Sequence, residues 1–467
     1  MLKKTHPADA RSNKIKMKNK FSGWTAAALV VANMVGTGVF TSLGFQVVSL
    51  SSGLAVILLW ILGGVLALTG ALTYAEAAVR WPRCGGEYHL LSTMFSRPLG
   101  FLAGWISILV TFAAPVAASA MAFAAYFQRA AGETFQTRMN SWLPGLNNAK
   151  FLAVAVVLIF TLIHALNKVL GGRVQLIFTL VDISVIAFLI FIGLRHAQPG
   201  LVSFALDDRA IKDILSPAFA ISMYFVTYSY SGWNAAIYIA GEVKKPEKNL
   251  PFSLISGTGL VIILYVLLNY VFLKNIPIRV MAGKVEVGHL FASAIFGPQG
   301  GAIMSAVISL LLLASISSMT MAGPRVSMTV GEDYHYFRWL ARLNSREVPY
   351  LAVLIQGLIS TLYILTSSFE KMIIFTGFTL NLFTFLTVLG VMKSRQTQPK
   401  VKPAYRTWGY PLTPIIFLTF QAWILIYGLI YRPKESLAGV LLTLSGLIFY
   451  YLSPRSPEKK PLPDGQN

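Results

Sequence analysis

Apolar runs of about twenty residues, separated by short polar gaps, recur along the whole chain. Each is long enough to cross the ~30 Å hydrocarbon core of a bilayer as a helix. Twelve such windows fall at 21–48, 54–79, 99–128, 151–166, 174–194, 216–241, 253–273, 300–322, 352–365, 371–392, 412–431 and 437–452. Two of them are interrupted: the first carries Gly36-Thr37-Gly38 near its middle and the sixth carries Ser231-Gly232. At such a break the helix interior loses hydrogen bonds, and the freed N–H and C=O groups must be satisfied by a bound solute, an ion or water. Interrupted spans in corresponding places point to a transporter's binding site. Ten spans divide into two sets of five, each opening on an interrupted helix. Because five is odd, the second set enters the membrane from the opposite side, which predicts an inverted repeat although residue identity between the halves is not visible.

Composition agrees with an all-α integral membrane protein. Of 467 residues 55% are apolar and 12% charged, with a mean hydropathy of +0.64, too little polarity for a water-soluble surface at this length. Lys and Arg number 39 against 18 Asp and Glu, a net +21, which in a soluble chain would suggest a nucleic-acid partner. Sorted by the gaps between spans, however, 27 basic residues fall on the side of the N-terminus and 12 on the other. That is the positive-inside asymmetry, led by Lys3, Lys4, Arg11, Lys14, Lys16, Lys18 and Lys20, and it places both termini in the cytoplasm with no nucleic acid required. The run at 21–48 is far longer than a signal peptide's apolar region and lacks a convincing cleavage site, so it reads as a span that stays. Cys84 is the one cysteine, leaving no intramolecular disulfide and no Cys/His metal pattern, and no cofactor is expected. The expected organisation is a basic tail at 1–20, five-helix repeats at 21–200 and 201–395, a loop and two further helices at 396–452, and a tail at 453–467.

A family resemblance enters at specific residues. Ala32-Asn33-Met34-Val35-Gly36-Thr37-Gly38-Val39-Phe40 resembles the first-helix signature of the amino acid, polyamine and organocation (APC) superfamily. Tyr74-Ala75-Glu76, Pro82-Arg83-Cys84-Gly85-Gly86-Glu87-Tyr88 and Pro98-Leu99-Gly100-Phe101-Leu102-Ala103-Gly104-Trp105 continue the match. So do Tyr230-Ser231-Gly232-Trp233-Asn234, the loop from Gly241 to Pro251, and Arg325 after Pro324, all in the family's order and spacing. Trp233 most resembles the L-type amino acid transporter branch and its bacterial relatives, which implies a cell inner membrane.

The resemblance implies a transporter fold with discontinuous first and sixth helices and a backbone-made headgroup site. N–H groups near Thr37 and Gly38, beside Gly36, would receive a carboxylate at a positive helix end. Carbonyls of Met34, Tyr228 and Ser231, at a negative end, would receive an ammonium. Tyr228 stands where relatives carry an aromatic that closes over substrate, while Trp233 reads as packing. Each residue also has a plainer reading. Gly36 and Gly38 suit close helix packing, Thr37 can bond its own helix, and the Asn234 amide can find a partner on a neighbouring helix. Glu76, Glu87, Glu242 and Lys245 read either as solvated charges or, with Arg325, as an inner gate of ion pairs. Pro115 is expected to kink the third span. Animal relatives hold a single-span partner by a cysteine in the loop after the third span; this chain has none there, so no disulfide-linked partner is expected.

One departure stands out. Many family members carry a lysine in the fifth span where this chain has Asp182, and that amine is thought to replace a sodium ion. A carboxylate within a span is costly unless paired, hydrated or protonated, and such groups often serve ion movement. Asp182 therefore reads either as a structural acid or as a proton or sodium coupling site, with Ser315, Ser317 and Ser318 as candidate oxygen ligands. The leading functional expectation is secondary transport of an amino acid, by symport or exchange. Polyamine or organocation transport and a non-transporting amino acid sensor are the alternatives. Neither a phosphate-binding loop nor a catalytic constellation is present to suggest an enzyme.

Overall fold

The computed structural model describes residues 21–142, 149–166, 172–196, 201–399 and 404–453. Several helices begin where a hydroxyl or carboxylate satisfies one of their first free N–H groups. Ser22 Oγ accepts from the Thr25 N–H to start α1 (Gly23–Met34), and after the break α2 (Thr37–Gln46) completes the first span. Ser52 caps α3 (Gly53–Arg80), the second span. The helix between the second and third spans, α4 (Gly86–Met94), was not anticipated from hydropathy because its composition is mixed.

The third span is α5 (Arg97–Ile106), a π-helical turn at Ser107–Thr111, and α6 (Ala113–Trp142). Pro115 lies in the first turn of α6, close after that π-helical turn, and lacking an N–H it cannot bond the carbonyl four residues earlier. The fourth and fifth spans are α7 (Ala149–Leu166) and α8 (Gly172–Arg195). The short α9 (Asp208–Ile214) follows, set at 67° to the sixth span. Asp213 ties α9 to the start of α3, its Oδ2 accepting the N–H groups of Ser51 and Ser52 at 2.7 Å each. The sixth span is α10 (Pro217–Tyr230), a break, and a 3-10 helix at Ala235–Glu242. Then come α11 (Pro246–Asn275), α12 (Ile278–Met281), α13 (Val287–Asp333, broken at Gly297), α14 (Tyr350–Thr366), α15 (Phe369–Thr397), α16 (Leu412–Tyr431) and α17 (Pro433–Leu452).

Each of the twelve apolar windows has its helix among the described residues. Ten helices are long and apolar enough to cross a membrane, eleven when α9 and the sixth span are taken as one bent pair, and α14 is a shorter apolar helix. The eighth window proves too short, because α13 continues beyond both its ends through Pro298 and Pro324. Burial sorts the helices into centre and periphery. The third span is 83% buried and the first 72%, whereas α17 is 22% buried; Leu441, Ile448 and Leu162 are exposed on peripheral helices, as lipid-facing side chains should be. On the N-terminal side, Glu76 of α3 binds Arg395 of α15, with Arg395 Nε 2.7 Å from Oε1, and accepts the Thr407 N–H and hydroxyl at 2.9 and 2.7 Å.

Candidate functional site

The two breaks meet. After Met34 the chain turns extended at Val35 (φ −75°, ψ 108°) and Gly36 (φ −166°), so the first N–H groups of α2 open onto the gap with no capping side chain. At the sixth span, Ser231 leaves the helix and Gly232 adopts φ +99°. A Cβ on Gly232 would stand 2.5 Å from the Asn33 carbonyl oxygen. Glycine is therefore required twice here, by its positive φ and by the approach of one broken span to the other.

Hydroxyls from three helices gather at the start of α2. Thr37 Oγ1 lies 2.5 Å from Ser119 Oγ of α6, both buried, and Ser119 lies 3.4 Å from Ser315 Oγ of α13. Ser315 is also 3.3 Å from where a Gly36 Cβ would be. Gly38 has a different surrounding: its Cβ would fall 2.5 Å from Ser229 Cα. The space beside Gly38 thus belongs to the packing of α2 on α10. Ser42 and Ser229 hydroxyls, 2.8 Å apart, join the same two helices one turn on.

The carbonyls expected to receive an ammonium already hold one donor each in two of three cases. Met34 O accepts the Tyr265 hydroxyl of α11 at 2.6 Å, and Tyr228 O accepts the Ser231 N–H at 3.0 Å. Each carbonyl keeps a second lone pair. Tyr228 is buried at the end of α10. Trp233 packs edge-on against Tyr74 at 4.7 Å and beside Phe417.

Residues 21–452 match the amino acid permease family. The chain belongs to the amino acid permease family. It is 27% identical to the mouse (Mus musculus) b(0,+)-type amino acid transporter 1 over 96% of its own length and 90% of the relative's. It is likewise 27% identical to the mouse large neutral amino acids transporter small subunit 2, covering 94% and 81%. To the serine/threonine exchanger SteT of Bacillus subtilis (strain 168) it is 26% identical, covering 91% and 94%. The permease is thus an all-α, multi-pass membrane transporter of amino acids and not an enzyme.

Other anticipated residues of the permease lie apart from the breaks. Asn234 Nδ2 donates to Glu87 Oε1 of α4 at 2.5 Å, so the neighbouring-element reading of this amide holds. Glu87 is neither solvated nor ion-paired among the described residues. It is buried, and it also accepts the Tyr238 hydroxyl at 2.5 Å and the Tyr74 hydroxyl at 3.3 Å. Burial raises its pKa above the ordinary carboxyl value, against the lowering effect of these hydrogen bonds. Glu242 and Arg325 both lie near Cys84, together with Arg83, yet neither forms an ion pair among the described residues. Glu76 is paired, but with Arg395 rather than within that group. Lys245 caps α11 in a left-handed conformation. The Phe21 N–H bonds Glu242 O at 3.2 Å and the Lys244 N–H bonds Phe21 O at 2.9 Å, joining the start of the first span to the end of the sixth.

The anticipated coupling cluster is divided. Successive helical residues are rotated by about 100°, so Ser315 faces the first break while Ser317 bonds His164 Nε2 of α7 at 2.8 Å. Ser318 is half-buried. Asp182 is buried on α8. Ser119, Tyr265 and His164 were not anticipated. Their sequence signal is slight, a single polar group within an apolar span, and only packing assigns each its partner. Among the described residues no group of three His, Cys, Asp or Glu could hold a metal ion.

Proposed function

We propose that the permease is a secondary active transporter that takes one neutral amino acid as a zwitterion between the two breaks and moves it by alternating access, in exchange for another. The observation that carries this reading is the meeting of the α2 N-terminus and the α10 C-terminus, with Gly232 against Asn33. Those ends carry opposite partial charges, which suits a headgroup with both a carboxylate and an ammonium; a polyamine has no carboxylate for the α2 end. In this reading the carboxylate rests on the N–H groups of Thr37 and Gly38 beside Gly36. The ammonium takes the free lone pairs of Met34 and Tyr228 and the Ser231 carbonyl. Tyr228 closes over the cargo, Asn234 and Gly232 shape the second break, and Glu242 and Arg325 act as a gate on the N-terminal side. Two of the relatives, the large neutral amino acids transporter and the serine/threonine exchanger, support a neutral cargo, and the second supports exchange. Asp182 is proposed to bind a proton or cation whose release accompanies transport. The inverted repeat, cytoplasmic termini and a bacterial inner membrane belong to the same reading.

Purified permease in liposomes tests it. One labelled amino acid should enter faster when unlabelled amino acid is inside, and screening all twenty as competitors should identify the class. Amino acid amides and methyl esters, without the carboxylate, should compete poorly. Saturable binding with neither accumulation nor exchange would replace transport with sensing.

A further inference from the structure

Glu87 is set into the protein in a way that neither packing nor surface charge requires. Its helix, α4, comes from the loop between the second and third spans and is entered through Gly85 (φ +126°) and Gly86 (φ +56°). Gly86 has a second constraint: a Cβ there would lie 2.2 Å from Cε1 of Tyr238. The missing side chain lets the Tyr238 ring of the sixth span lie over the start of α4, and Glu87 follows directly beneath it. Its two carboxylate oxygens then take Asn234 Nδ2 and the Tyr238 hydroxyl at 2.5 Å each, with the Tyr74 hydroxyl of α3 at 3.3 Å. A carboxylate can only accept, and a buried one without a cation depends wholly on its donors. Two of the three strongest claims on this one come from a single short element, the second half of the sixth span.

We infer that Glu87 is a positioning residue that clamps Asn234 and Tyr238, and so holds the second half of the sixth span closed against the N-terminal side of the site. Displacement of that half removes two donors at once and leaves the carboxyl with the Tyr74 hydroxyl and its own backbone N–H. The clamped element is a 3-10 helix, whose poorer hydrogen-bond geometry makes it easier to reshape than α-helix. Tyr74 sits on α3, which Glu76 and Arg80 pin to α15, giving the clamp a fixed base. This inference rests on the transport reading for its purpose, but its geometry can be measured without transport.

The single native cysteine provides the measurement. Cys84 lies under the end of the same 3-10 helix, its Sγ 3.3 Å from where a Gly241 Cβ would be. The charged groups around the thiol are Glu242, Arg83 and Arg325, not Glu87, so substitution at Glu87 changes its cover rather than its charge surroundings. Alkylation of Cys84 by N-ethylmaleimide is timed in the full-length permease. Glu87→Gln, which offers one acceptor in place of two, should react about tenfold faster than the native protein, as expected for loss of a hydrogen bond to a charged group. Glu87→Ala should react faster still, and Tyr238→Phe, which keeps the carboxylate, should fall between. In exchange assays KM for external amino acid should rise while maximal rate changes little, because fewer molecules present the closed state; a merely destabilised protein would lose maximal rate with KM unchanged. Native alkylation rates in Tyr238→Phe and in whichever Glu87 variants elute as folded protein would overturn the clamp. A native permease that exchanges no amino acid would overturn the transport reading, while the alkylation rates would still decide the clamp.

Discussion

Gly232 and Gly36 look alike in the sequence but are constrained differently. Gly232→Ala must accept both a positive φ and a Cβ 2.5 Å from the Asn33 carbonyl oxygen, so it should abolish transport and lower thermal stability by roughly 1–3 kcal/mol. Gly36→Ala meets only the Ser315 hydroxyl at 3.3 Å, on an extended backbone. It should stay folded and lose substrate affinity through crowding of the α2 N-terminus; unchanged affinity there would count against a carboxylate at that position. Gly38→Val cannot serve as this test, since it would drive α2 off Ser229. Tyr228 is tested by kinetics. Tyr228→Ala should damage transport more than binding, because closure commits the solute, whereas Tyr228→Phe and Tyr228→Trp should keep much of the activity. Equal loss in all three would assign the role to the hydroxyl instead.

At the scale of elements, α4 shows how a short polar helix can be structural. His89, on α4 and outside the spans, has its pKa pushed down to about 4 by burial, with Arg83 adding to the effect. The unfolded chain takes up this proton near its ordinary 6.5, so between those values the unfolded state binds more protons than the folded one. Stability should therefore be fully present above about pH 6.5 and decline as pH falls toward 4. Thermal midpoints of the purified permease at pH 7.5 and pH 5 should show this loss, and His89→Gln should reduce it. An identical pH difference in the variant would place the sensitive group elsewhere. The third span makes the complementary point: Pro115 stands close after the π-helical turn at Ser107–Thr111.

Across the whole molecule, the first break is tied to a helix far from it in sequence, the Tyr265 hydroxyl of α11 donating to the Met34 carbonyl at 2.6 Å, while Asp182 stands as a buried carboxyl on α8. If Asp182 carries the coupled proton or cation, Asp182→Asn should slow or uncouple net uptake and flatten its dependence on pH or sodium more than it weakens binding. Native-like uptake with an unaltered response would return this carboxyl to a structural part.

The spans, the two breaks and the asymmetry of basic residues were legible in the residues alone, because bilayer thickness and helix periodicity act on local runs of sequence. Gly36 and Ser231-Gly232 announced interrupted backbone for the same local reason. What the amino acids could not reveal was which polar group meets which. Asn234 finds Glu87, Ser317 finds His164 and Met34 finds Tyr265, pairs separated by well over a hundred residues and, in each case, by several spans. A lone hydroxyl, amide or carboxyl inside an apolar helix must be satisfied somewhere, but the direction it faces depends on helix rotation and on the neighbour packed there. The same limit explains Gly38, whose smallness was visible but whose contact with Ser229 exists only once α2 and α10 are assembled.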